Sequence, residues 1–310
     1  PDRSGWPNNL FTLLDRHYRL KVFETVTQLC PLERCGQTGT RSGFPTVAKQ
    51  TAKLYRTIVS PADVGADAAS VGENPDLAAD AGGKGPTAYF GNLGQNQVRR
   101  VDEFVKSISA EDPQPTLYFL HVLLPHSPWK YLPDGKVYNS SSLPTSVTAK
   151  EVWPAPVQQL NHQRHLVQLA WTDKVIARVL QRLKDQGLYD KSLVVMTADH
   201  GEGFTPGNPR RLLAGGNAAQ LMWVPTLLKA PGQTRGRIDD RNWEHVDLLP
   251  TMADIVGLSI PWKVDGLAQT GPSRRQSTDK TFYNHPGQPL RRPGPSNFAT
   301  VLHGVTDTLV

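Results

Sequence analysis

The chain has 310 residues, 38% hydrophobic and 20% charged, with 26 glycines and 26 prolines, a loop-rich globular composition long enough for one large α/β domain with an appendage or for two domains. Its net charge of +6 comes with arginines scattered in pairs (Arg210-Arg211, Arg274-Arg275, Arg291-Arg292); with no basic helix interleaved with aromatics, this argues against nucleic acid and for an anionic substrate or lipid surface. There is no run of eighteen apolar residues and no signal peptide, so no segment reads as a membrane-spanning helix.

In chain order, Asn9 to Leu14 reads as a short helix and Arg19 to Val26 as an alternating strand. Cys30 and Cys35 follow, with Pro31 between them. A disulfide closing so small a loop is geometrically feasible and suits an exported protein; two buried free thiols are the alternative. Zinc is disfavoured, because no second Cys or His pair lies nearby. Residues 62–96 are rich in Gly, Ala and Asp and read as a surface loop or linker. Within them, Gly82-Gly83-Lys84-Gly85-Pro86-Thr87 lacks the spacer of a phosphate loop and has a proline where a donor is needed.

Val98, Val101, Phe104, Val105 and Ile108 form the stripe of a core-packed helix. Thr116 to Leu124 is a continuous apolar run, as expected of a strand covered on both faces. It stops at Pro125-His126-Ser127-Pro128, where two prolines hold His126 on a stiff loop. Such an imidazole can bind an anionic ester oxygen, protonate a leaving group or ligate a metal; a backbone-bonded loop histidine is the plain alternative.

Leu166, Leu169, Ala170, Val175, Ile176, Val179, Leu180 and Leu183 then mark a long helix with Gly187 as its stop. His162 and His165 near its start are spaced to chelate but read as exposed helical histidines. The strand Ser192 to Ala198 runs into Asp199-His200-Gly201-Glu202. A carboxylate beside an imidazole at a strand end suits Zn²⁺ or Mn²⁺ better than an all-oxygen cage, and the glycine permits a sharp turn; otherwise Asp199 caps a helix and His200 packs nearby. A strand–helix–strand crossover makes the two strands parallel, which would bring His126 and Asp199-His200 to one crevice. His245 reads as a strand-end hydrogen-bonding residue, and Asp247 as the N-cap of a helix with Pro250 in its first turn. Beyond Gly266 the tail reads as irregular, and no Gly-x-Ser-x-Gly elbow is present.

Pro125-His126-Ser127-Pro128, the helix carrying Asp173, Asp199-His200-Gly201-Glu202, the run Val224 to Gly232, and Val246-Asp247-Leu248-Leu249-Pro250-Thr251 occur in an order that resembles the sulfatase family of the alkaline phosphatase superfamily. The resemblance spans residues 116 to 266. It is nearer still to the sulfatase-like extracytoplasmic domains of actinobacterial membrane proteins, there including the stretch before residue 116.

The resemblance implies an α/β, alkaline-phosphatase-like sandwich with a central, largely parallel sheet flanked by helices. It implies a catalytic domain over residues 1–270, with 271–310 as an irregular C-terminal segment. It makes Asp199 and His200 ligands of a divalent ion (Mn²⁺, Zn²⁺, Ca²⁺ or Mg²⁺) and His126 the contact to a sulfate or phosphate group. The implied activity is metal-dependent hydrolysis of sulfuric esters. A phosphoglycerol or phosphoethanolamine transferase and a non-catalytic binding domain on the same scaffold are the alternatives. The implied location is extracytoplasmic, with a membrane anchor outside this chain. The family's nucleophile motif, Cys/Ser-x-Pro-x-Arg, is not matched: in Cys30-Pro31-Leu32-Glu33-Arg34 the proline comes one place early. The first strand with its metal-binding aspartates is not found either, so both are expected upstream of Pro1.

Overall fold

The computed structural model describes residues 7–25, 29–35, 97–138, 152–213, 217–239, 241–271, 279–283 and 289–292. The loop expected at residues 62–96, with its glycine-rich stretch, lies outside them. The chain divides into two units, 1–147 with 165–182 and 148–164 with 183–310.

In the first unit, α1 (Leu10–Leu14) is capped by Asn9, whose side chain accepts from the Thr12 N–H at 3.0 Å. Strand β1 (Arg19–Glu24) pairs in parallel with β2 (Thr116–His121), in register from Arg19 opposite Thr116 to Glu24 opposite His121. Short helix α2 (Leu32–Cys35) follows β1, and Cys30 and Cys35 are joined by a disulfide with their Cα atoms 6.1 Å apart. Helix α3 is Gln97–Ser107.

Strand β2 ends before the apolar run does, and all six of its residues are half-buried. Its two faces nevertheless pack separately, as the two-residue period of a strand requires. Leu117 and Phe119 join Phe11, Val22 and Cys30, whereas Leu120, with Val122 and Leu124 beyond the strand end, meets Val101, Tyr131, Trp171 and Val175.

At the near end of this sheet Asp112 accepts from Lys21 Nζ (2.7 Å), Arg19 Nη1 (3.2 Å) and the Tyr118 hydroxyl. Burial pushes the Asp112 carboxyl up; the hydrogen bonds from Lys21 and Tyr118 and the charges of Lys21 and Arg19 outweigh it and hold it below the usual carboxylate range. A carboxyl depressed in the folded state stabilises fully above its unfolded value near 3.8, and that contribution is lost as pH falls through the folded value. Asp112→Asn is therefore expected to lower the denaturant midpoint at pH 7, with the gap from the parent closing below about pH 4. A gap that stays constant down to pH 2.5 would count against this assignment.

The long helix α4 (Ala155–Asp185) begins well before its predicted apolar stripe and gives its middle to the first unit and its ends to the second. Gly187 follows it with φ 63°, the left-handed conformation that favours glycine at a helix end. Its buried positions correct the predicted face. Gln158, Asn161, Arg164, Gln168, Trp171, Val175 and Leu183 are buried, while Leu166 and Leu169 are 46% and 42% exposed. From Gln158 to Val175 the buried positions recur at three- and four-residue steps, but the first four are polar, so a search for apolar periodicity selects the wrong side there.

In the second unit β3 (Val194–Thr197) pairs antiparallel with β4 (Thr226–Lys229), and short helix α5 (Ala218–Met222) lies between them in sequence. Among the described residues β2 and β3 share no ladder, because each finds its partner within its own unit. Asp247 stands at the expected N-cap position of α6 (Leu248–Ile255), with Pro250 in the first turn, but it also ends a 3-10 turn (His245–Asp247) and its side chain makes no cap hydrogen bond to that helix.

The Asp247 carboxylate is instead fully buried, accepting from Leu267 N (2.9 Å), Glu244 N (3.0 Å) and Gln269 Nε2 (3.2 Å). Thr251 Oγ1 extends the network by accepting from Gln269 N at 3.0 Å. Gly266 is required here, since a Cβ would stand 1.8 Å from the Val246 carbonyl oxygen. The tail expected to be irregular carries an antiparallel pair, β5 (Lys280–Tyr283) with β6 (Pro289–Arg292).

Candidate functional site

The segment after β3 is held by its backbone. Gly201 N–H donates to the Leu221 carbonyl at 2.7 Å and Gly203 N–H to the Arg210 carbonyl at 2.8 Å. A Cβ on Gly201 would lie 1.9 Å from the Gln220 carbonyl oxygen, so glycine is needed for close approach to α5, not for the φ angle of a turn. Gln158 Nε2 donates to the Gly203 carbonyl at 3.2 Å, and His162 stacks on Phe204 with ring centroids 4.6 Å apart. Burial lowers the His162 pKa, which keeps this stacked ring neutral; it is packing, as its neighbour His165 is against Trp129.

Glu202 and Arg210 form an ion pair with side chains 11% and 3% exposed, and the Arg210 guanidinium lies 5.0 Å from the Trp153 ring centroid. With Glu202 committed to Arg210, the chemistry of Asp199-His200-Gly201-Glu202 is left to its first two residues.

Asp199 opens to solvent, its side chain 82% exposed, and caps no following helix: its Oδ1 accepts from the next N–H, that of His200, at 2.9 Å. His200 Nδ1 lies 2.7 Å from the Gly201 carbonyl oxygen. A carbonyl only accepts, so the proton sits on Nδ1 and the lone pair on Nε2. That lone pair stands 3.6 Å from Asp199 Oδ2 and also receives Arg211 Nη2. Two metal-bound donors at about 2.1 Å and near-tetrahedral or octahedral angles are about 3.0–3.4 Å apart, so the Asp199–His200 pair is close to a bidentate bite. The donor set thus fits a divalent ion as two of its ligands. Among the described residues no third His, Cys, Asp or Glu joins them. At the strand end beneath, Thr197 Oγ1 is bonded to Thr226 Oγ1 (3.1 Å) and His245 Nε2 (3.0 Å), so His245 is engaged with the β3–β4 ladder.

His126 belongs to the first unit. Its Nδ1 faces the Ser127 carbonyl oxygen, which by the same logic fixes the proton on Nδ1 and leaves Nε2 as the acceptor. The loop around it is anchored by Gln168, 1% exposed on α4. Gln168 Nε2 donates to the His126 carbonyl at 2.7 Å, and Gln168 Oε1 accepts from Lys130 N (2.9 Å) and Tyr131 N (3.2 Å). Trp129, 1% exposed, adds an Nε1–H donation to the Pro125 carbonyl at 3.0 Å. The segment is dry: burial pushes the Lys130 ammonium down and the Tyr131 phenol up to about 12. Gln168 carries no motif, and only the three- and four-residue steps that link it to Gln158 through Asn161 and Arg164 could have pointed to it.

The chain is 26% identical to the endo-4-O-sulfatase of Bacteroides thetaiotaomicron over 46% of its length and 29% of that protein's. It is 32% identical to the multifunctional alkaline phosphatase superfamily protein PehA of Trinickia caryophylli, over 30% of this chain and 18% of that one. It is also 30% identical to bovine arylsulfatase K, over 31% and 18%. The chain thus spans less than a third of the length of these curated relatives. Among solved structures, a phosphonate monoester hydrolase from Silicibacter pomeroyi aligns over 61% of this chain and 44% of its own, at 22% identity and a TM-score of 0.47. A family model described as Sulfatase matches residues 7–258, which include β1, the His126 loop, Asp199-His200 and the buried Asp247; the chain belongs to the sulfatase family.

Proposed function

We propose that this chain carries part of the centre of a sulfuric ester hydrolase that uses a divalent metal ion, Mn²⁺ or Zn²⁺ suiting the donor pair best. The observation that carries the proposal is the Asp199 carboxylate beside the His200 Nε2 lone pair, 3.6 Å apart at the end of β3. Asp199 and His200 would hold the ion, with further ligands and the nucleophile supplied from outside the described residues. A bound ion would neutralise charge on the transferring group and favour ionisation of the nucleophile.

The protein's own residues do the rest. The Gly201 carbonyl fixes the tautomer of His200, so no proton must leave Nε2 before it binds a cation. His126, held by Gln168 through the backbone, presents Nε2 to the ester: neutral, it accepts; protonated, it donates to an anionic oxygen or a leaving group.

The Cys30–Cys35 disulfide supports an extracytoplasmic location, where such bonds persist. Attachment to the membrane through a segment outside this chain belongs to the same proposal; among the described residues no helix is long and apolar enough to cross a membrane. A phosphate-ester activity is the second reading, favoured by the similarity to a relative named as multifunctional.

Assaying the full-length protein with an aryl sulfate and an aryl phosphodiester, with and without Mn²⁺ after chelation, separates the readings. Sulfate turnover restored by Mn²⁺ is expected. Turnover of the phosphodiester alone would favour the second reading, and turnover of neither would leave a binding domain on the sulfatase scaffold.

A further inference from the structure

Arg210 and Arg211 are adjacent in sequence and face different partners. Arg210 is locked: its guanidinium pairs with Glu202, lies over Trp153 and is almost wholly buried, while its carbonyl accepts from Gly203 N–H. That anchor delivers the half-buried Arg211 to His200, where Nη2 donates to Nε2. Because the Gly201 carbonyl holds the proton on Nδ1, Nε2 is the nitrogen a metal would need. The guanidinium, which carries donors and a permanent positive charge, thus occupies the lone pair of the imidazole member of the Asp199–His200 pair.

We propose that Arg211 is a built-in competitor for the cation position, and that a divalent ion enters only as Arg211 swings away from His200. The inference rests on the metal reading above and goes beyond it by assigning a role to a residue that is not a ligand. A divalent ion on Nε2 and a guanidinium donating to the same lone pair exclude one another, first because one lone pair serves one partner and then because like charges repel at that range. Arg210 cannot take this part, since leaving Glu202 would strand a buried carboxylate.

The test is Mn²⁺ binding to the chain, followed through the electron paramagnetic resonance signal of free Mn²⁺, in the parent, Arg211→Ala, Asp199→Ala and the double variant. Losing a charge-assisted hydrogen bond that binding must break is expected to tighten Mn²⁺ about tenfold in Arg211→Ala, and adding Asp199→Ala should abolish the gain. Arg211→Gln, uncharged but similar in length, carries the comparison should the alanine variant fail to fold by circular dichroism.

Equal or weaker binding in Arg211→Ala, with binding in the parent lost in Asp199→Ala, would overturn the competitor role and leave the metal reading standing. Absence of Mn²⁺ uptake in both the parent and Arg211→Ala would overturn both.

Discussion

Replacing Asp199 by alanine in the full-length protein is expected to lower metal-dependent ester turnover by more than about 100-fold, because even the outer partners of metal ligands are worth about 10–100-fold in affinity or activity. The side chain is 82% exposed, and its one hydrogen bond among the described residues, accepted from the next backbone N–H, spans no distance in sequence. The fold therefore has little to lose. The thermal midpoint should stay within about 2 °C of the parent, since exposed substitutions usually cost less than about 0.5 kcal/mol. Steady-state kinetics at several Mn²⁺ concentrations provide the measurement. A large loss restored by excess Mn²⁺ would identify a ligand, whereas activity within about twofold of the parent at every concentration would remove Asp199 from the site.

Gln168→Ala should show the opposite balance. The substitution takes the acceptor from two backbone N–H groups, Lys130 and Tyr131, and the donor from the His126 carbonyl, all on a dry segment. A buried polar group left without a partner costs about 1–3 kcal/mol, so a total near 2–4 kcal/mol is expected in denaturant unfolding. Turnover should fall about tenfold or more by displacement of His126, because misplacement by about 1 Å can cost as much as 100-fold. Gln168→Glu separates the two effects. It keeps the acceptor for Lys130 and Tyr131 and turns only the donor toward His126 into a repulsion, so it should recover stability better than turnover. A Gln168→Ala protein as stable as the parent would show that the loop is held by other contacts.

These two residues show how differently the sequence displays its parts. Strand β1 and helix α3 are legible because their side chains obey the period of their backbone, β2 because it is an unbroken apolar run, and Asp199-His200 because a strand runs visibly into it. The buried side of α4 obeys the same period with Gln158, Asn161, Arg164 and Gln168, yet a pattern that scores apolarity prefers Leu166 and Leu169, which face outward. Gln158 and Gln168 satisfy backbone groups of distant loops, and Arg164 donates to Asn161 one turn away on the same helix; one-dimensional periodicity does not record such partners. Gly201 was legible as a glycine that matters but not for its reason: the obstacle is the Gln220 carbonyl, about twenty residues away along the chain. Asp247 is likewise legible as the N-cap residue of α6 but not for what its carboxylate does, which is to accept from Leu267 and Gln269 and not from the first turn of that helix.

The Asp247 network has a consequence for how relatives of this protein are sorted. Val246-Asp247-Leu248-Leu249-Pro250-Thr251 helps to identify the family, but its acid is sealed away from solvent and ties the chain near residue 267 to the start of α6. Selection for a stable architecture suffices to preserve it, even in a descendant that has lost all chemistry. A census of working enzymes drawn from genomes by that signature alone would therefore overcount; under the function proposed above, the open acid–imidazole doublet is the second criterion it needs.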